Sequence, residues 1–86
     1  HGMSLEEWNT MLAKQNGVCA VCREVPPTNV DHDHKTGRKR GLLCWPCNVA
    51  VGQLKDDPDR AIRLAQYLRQ SIDGQEYLEL LDSSNP

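Results

Sequence analysis

Eighty-six residues make one small domain, and four aromatic side chains (Trp8, Trp45, Tyr67 and Tyr77, with no Phe) are too few to fill a sandwich or barrel core. No apolar run approaches the roughly 20 residues of a membrane span, and no signal-peptide core opens the chain, so a reducing cytoplasm is the expected setting. The net charge of −2 speaks against a nucleic-acid binder only as an average: residues 1–34 carry −3, residues 35–54 carry +4 with no acid at all, and residues 55–86 carry −3.

His1-Gly2 ahead of Met3 reads as the remnant of a tag and is left out of the chemistry. Ser4-Leu5-Glu6-Glu7 is a capping-box pattern, and Leu5, Trp8, Met11 and Leu12 follow at helical spacing with Gly17 as a stop. A helix is expected over about 4–15, its apolar stripe on the core. Cys19-Ala-Val-Cys22 should form a tight turn, and Pro26-Pro27 excludes regular helix after it. Residues 29–34 and 40–43 read as the strands of a hairpin turning through Lys35-Thr36-Gly37-Arg38. Residues 48–54 can open a helix with Asn48 near its N-cap. Asp57-Pro58 starts another, with Ala61, Ile62, Ala65, Leu68 and Ile72 on one face and Gly74 as its stop. Residues 75–86 form a tail with a brief apolar stretch at Tyr77, Leu78, Leu80 and Leu81.

Cys19-x2-Cys22 and Cys44-x2-Cys47 are paired knuckles separated by residues 23–43. Each two-residue spacer places two thiolates on one side of a turn, which suits tetrahedral Zn2+. Two disulfides would call for an exported miniprotein, and a redox pair would call for a βαβ context; the chain offers neither. Four thiolates close the shell, so this zinc is structural and function must be sought between the knuckles and just after them. Trp45, inside the second knuckle, is expected on the core rather than as a wedge facing DNA.

Asp31-His32-Asp33-His34 lies between the knuckles. Outside His1 it holds every histidine of the chain, and alternation would set both on one side of a strand. Asp31 and the Asn48 side-chain carbonyl are oxygen ligands suited to a hard divalent cation, and a neutral imidazole can take a proton from water. Lys35, Arg38, Lys39 and Arg40 can neutralise neighbouring phosphates.

Val30-Asp31-His32-Asp33-His34, then Arg40-Gly-Leu-Leu-Cys44, then Cys47-Asn48, together resemble the recombination endonuclease VII branch of the HNH (ββα-metal) nucleases, over most of the chain. The resemblance implies a small α+β fold: a zinc-stapled ββα-metal (HNH, or His-Me finger) core over residues 3–74, with an N-terminal and a C-terminal helix. It implies a metal-dependent DNA endonuclease or nickase using Mg2+ or Mn2+ on Asp31 and Asn48. His32 would be the general base, His34 would support it, and the cut would leave a 5′-phosphate and a 3′-hydroxyl. Asp31 and His32 would then serve one phosphate although neighbours on a regular strand point apart, so a distortion at residues 31–32 is expected. A homodimer is left open. The competing reading is a zinc-ribbon-like module that binds nucleic acid or protein without cutting. A RING-like domain would need about eight ligands for two zinc ions, more than this chain supplies.

Overall fold

The structure, a computed structural model, describes residues 2–73. In chain order its elements are α1 (Leu5–Lys14), β1 (Asn29–His32), β2 (Lys39–Leu43), α2 (Trp45–Gln53) and α3 (Pro58–Asp73). This is the expected small α+β composition, with β1 and β2 forming a two-stranded antiparallel sheet. The chain divides after Asp56 into two compact units. No helix among the described residues is long and apolar enough to cross a membrane.

The capping box forms as the sequence implies: Glu7 N–H donates to Ser4 Oγ (3.0 Å), and Ser4 N–H donates to Glu7 Oε1 (3.2 Å). At the other end of α1, Asn16 N–H donates to the Ala13 carbonyl (3.1 Å) and Gly17 N–H to the Leu12 carbonyl (2.9 Å). That pair of bonds is a Schellman motif, and it turns the chain through two left-handed residues, Asn16 (φ 57°) and Gly17 (φ 76°). Trp8, Met11 and Leu12 are half-buried, but Leu5 departs from the expected stripe and is 76% exposed. Helical side chains lean toward the N-terminus, so one at the first position reaches past the end of its helix.

α1 grips the sheet through Gln15. Its Oε1 accepts from Leu42 N–H, while its Nε2 donates to the carbonyls of Leu42 and Val18, all at 2.9 Å. The amide thus satisfies the N–H of a fully buried residue and shares its carbonyl with Ala20 N–H (3.1 Å). Gly41 makes room for it, since a Cβ there would stand 3.3 Å from Gln15 Oε1.

The hairpin is shorter than expected at its closed end. β1 stops at His32 because Asp33 becomes a turn residue: its Oδ1 accepts from Lys35 N–H (2.8 Å) and Thr36 N–H (3.0 Å). Pairing runs Asn29 to Leu43, Val30 to Leu42, Asp31 to Gly41, then His32 to Lys39. Arg40 is therefore an extra residue on β2, and the register shifts between Asp31 and His32, where the sequence called for a distortion.

α2 corrects the expected helix start. It begins at Trp45, three residues early, with Cys44 as N-cap, because Pro46 is tolerated in a first helical turn. Asn48 is consequently not near the cap; its N–H already donates to the Cys44 carbonyl (2.9 Å) inside the first turn. α3 starts as expected, with Asp57 Oδ1 accepting from Asp59 N–H (3.0 Å) and Arg60 N–H (3.3 Å). The stop at Gly74 and the tail from Gln75 lie outside the described residues. Buried hydrophobic side chains among the described residues are Cys19, Leu42, Leu43 and Cys44; Cys19, Leu43 and Cys44 form one cluster, the core against which Cys22, Cys47 and Val51 pack.

Candidate functional site

Both knuckles converge on that core. The first closes with Arg23 N–H donating to the Cys19 carbonyl (3.0 Å), and the second opens α2. All four Sγ atoms lie within 4.8 Å of one another, with Cys22 and Cys44 3.9 Å apart. A zinc ion with Zn–S bonds near 2.3 Å would set its sulfurs about 3.8 Å apart, so the four cysteines can hold one. Their electrostatics point the same way. Burial pushes the Cys19 thiol up, yet backbone hydrogen bonds from Cys44, Cys22 and Val21 outweigh it and bring the group down to about 6. Hydrogen bonds with Cys44, then burial, push Cys47 up to about 12. Without a cation to balance them, the thiolates exclude one another's charge; a divalent ion removes that conflict.

Trp45 overturns the expectation of a core position and is 64% exposed. On α2, Cys47 and Val51 share the face turned to the cysteines, whereas Trp45 and Val49 fall roughly opposite at 100° per residue. Asn48 is half-buried at the margin of the cysteine-facing side, and α2 packs against β1, the strand of Asp31 and His32.

Asp31 is mostly buried, with 13% of its side chain exposed, and its carboxylate is gripped by Arg40. Arg40 Nε donates to Asp31 Oδ2 (2.7 Å), and Arg40 Nη2 donates to both Asp31 Oδ1 and Asp56 Oδ1, each at 3.1 Å. One guanidinium nitrogen thus bridges two carboxylates, and both acids raise the Arg40 pKa above its ordinary value. Asp56, 17% exposed, also faces His34 Nδ1 at 3.4 Å. His34 lies past the end of β1 with 75% of its side chain exposed, so strand alternation does not carry on from His32 to His34. His32 lines a different feature, a cleft of about 360 Å³ shared with Met3, Trp8, Thr28, Asn29 and Val30.

The basic segment divides. Lys39 Nζ donates to Glu7 Oε2 (3.0 Å) and to the Gly2 carbonyl (2.7 Å), which holds the Glu7 carboxyl below its usual range. Arg40 is committed to Asp31 and Asp56. Lys35 and Arg38 stand exposed around the turn, without a carboxylate partner among the described residues. Two residues of consequence, Gln15 and Asp56, escape a reading of the sequence. Gln15 leaves no signal there. Asp56 leaves a faint one: Asp57 alone suffices to cap α3, so the preceding aspartate is spare.

The family model described as recombination endonuclease VII matches residues 1–70. The chain is 38% identical over 74 residues to the Gene 59 protein of Mycobacterium phage D29, an alignment covering 80% of this chain and 45% of the relative. It is 36% identical over 73 residues to the Gene 59 protein of Mycobacterium phage L5, covering 79% and 44% respectively. The chain therefore spans less than half the length of these relatives.

Proposed function

Because the chain belongs to the recombination endonuclease VII family, we propose that it is a metal-dependent DNA endonuclease or nickase of the HNH type, hydrolysing phosphodiester bonds. The observation that carries this reading is local. Asp31 and His32 sit at a break in hairpin register, on the strand that packs against α2, the helix bearing Asn48. Half-buried carboxylate and amide oxygens suit a hard cation, and the Asp31 site already holds positive charge in the form of Arg40.

Asp31 and Asn48 would hold Mg2+ or Mn2+. When bound, that ion would polarise the scissile phosphate and offset charge on the leaving oxygen. His32, with its ring at an open cleft, accepts the proton of the attacking water. His34 stands by in a supporting role, close enough to Asp56 to be oriented by it. Lys35 and Arg38 meet the flanking phosphates first; Lys39 and Arg40, tied to carboxylates on the protein, set the field nearer the strands. The zinc on the four cysteines would take no part in the chemistry, because its shell is closed.

One observation favours a second reading, an idle fold that binds nucleic acid without cutting: both oxygens of Asp31 are engaged by Arg40. Supercoiled plasmid incubated with zinc-loaded protein and Mg2+ or Mn2+ separates the two. The nuclease reading expects nicked circles with 5′-phosphate ends, lost in Asp31→Ala and in Asn48→Ala. Retained DNA binding with no nicking at any metal concentration would establish the binding module instead.

A further inference from the structure

α1 and α2 end in the same way. Lys55 N–H donates to the Gly52 carbonyl (3.0 Å) and Asp56 N–H to the Val51 carbonyl (3.3 Å), the bond pattern that Asn16 and Gly17 make at the end of α1. Both termini pass through two consecutive left-handed residues. At α1 these are Asn16 and Gly17, which tolerate positive φ well. At α2 they are Lys55 (φ 57°) and Asp56 (φ 56°), and lysine has no such tolerance. The turn itself calls for neither side chain, as α1 demonstrates. What the costlier choice delivers is a carboxylate at the last position, mostly buried, against Arg40 Nη2 and His34 Nδ1. The strain falls on Lys55, since aspartate like asparagine accepts this backbone; what points to a function for Asp56 is its mostly buried carboxylate set between Arg40 and His34.

We propose that Asp56 is a positioning residue of the site: it retains Arg40 and orients His34 when the Asp31 carboxylate turns from Arg40 to the divalent ion. The inference rests on Asp31 being an ion ligand, as read above. With both acids present, Arg40 releases Asp31 without losing its whole ionic partnership, since Nη2 already bridges to Asp56. Without Asp56, freeing Asp31 would strand the guanidinium, and Arg40 would compete with the cation for that carboxylate. Asp56 thus acts through Arg40 and His34, and touches neither ion nor substrate.

The test uses zinc-loaded protein and Mn2+ binding followed by electron paramagnetic resonance, with plasmid nicking in parallel. Asp56→Gly removes the carboxylate while giving the turn the residue found at the same position of α1, so folding is preserved. Asp56→Asn, which keeps the shape, is the second variant. Both should weaken Mn2+ binding on the order of tenfold, the usual effect of losing a group that supports a ligand. The melting temperature of Asp56→Gly should hold or rise. In an Arg40→Ala background, removing Asp56 should change Mn2+ affinity less than about twofold, because the competitor is gone. An equal loss in both backgrounds would make Asp56 an ion ligand and overturn the proposal. So would unchanged Mn2+ affinity in Asp56→Gly, which would leave the residue a purely structural part. Asp31→Ala distinguishes failure of the underlying reading: if that variant binds Mn2+ as the native chain does, Asp31 is no ligand and both fall together.

Discussion

Individual side chains carry unusual weight in so small a molecule. Gln15 is one: its amide is the partner of both backbone groups of Leu42, a residue with no exposure. Gln15→Ala would leave the Leu42 N–H buried without its acceptor, while the carbonyl keeps Ala20 N–H (3.1 Å), and should destabilise the residue 2–56 unit by about 1–3 kcal/mol, read by urea titration. Lys55 is the opposite case. A lysine at φ 57° stores strain that glycine would not, so Lys55→Gly should stabilise by about 1 kcal/mol without touching the carboxylate next to it. Of the candidate site, Asp31, His32 and Asn48 were legible as chemical types from the sequence alone. Their surroundings were not: that Arg40 would fold back onto Asp31 depends on a shift of register, and periodicity carries no record of such a shift.

The elements themselves were largely written in local signals. A capping box and a left-handed stop delimit α1, and an Asp-Pro pair opens α3; each is a short-range rule that tertiary context did not override. The departures have local causes as well. Asp33, which reads as one of four potential ligands in its strand, ends β1 by bonding the turn amides, and those N–H groups hold its carboxyl below the usual range. A depressed folded-state pKa means its contribution is present above the ordinary carboxylate range and is lost as pH falls through the lowered value. Asp33→Ala should therefore loosen the 33–38 turn, seen as faster amide exchange at Lys35 and Thr36, while leaving the cysteine cluster intact. α2 departs because Cys44 rather than Asn48 stands at its cap, which places Trp45 at the first helical position and exposes it. Trp45→Ala should accordingly shift stability by no more than about 0.5 kcal/mol, whereas a core tryptophan would cost about 3–5 kcal/mol.

At the scale of the whole molecule, the buried hydrophobic side chains among the described residues are two leucines and two cysteines, too few to hold the residue 2–56 unit by burial alone. Metal binding and folding should be one event, and chelation of zinc should melt the residue 2–56 unit. The pH dependence follows from protons competing for the thiolates. In the metal-free protein the Cys19 thiol, held low by backbone hydrogen bonds, adds stabilisation that is present above the ordinary thiol range and lost as pH falls through the lowered value. Cys47, raised to about 12, must give up its proton to bind zinc, so zinc affinity drops as protons become more abundant. The melting temperature of the zinc-loaded protein should decline between pH 8 and pH 5; a flat profile would remove zinc from the account of the fold. The scaffold presents a site whose proposed general base, His32, can be tested directly. The measurement is the rate of plasmid nicking by native protein and His32→Ala at saturating Mn2+, with melting temperature and DNA affinity checked on both. A loss of about 10²–10⁴-fold in nicking, with folding and binding preserved, is the expected result for a general base. Equal nicking by the two proteins, or none by the native chain, would contradict it.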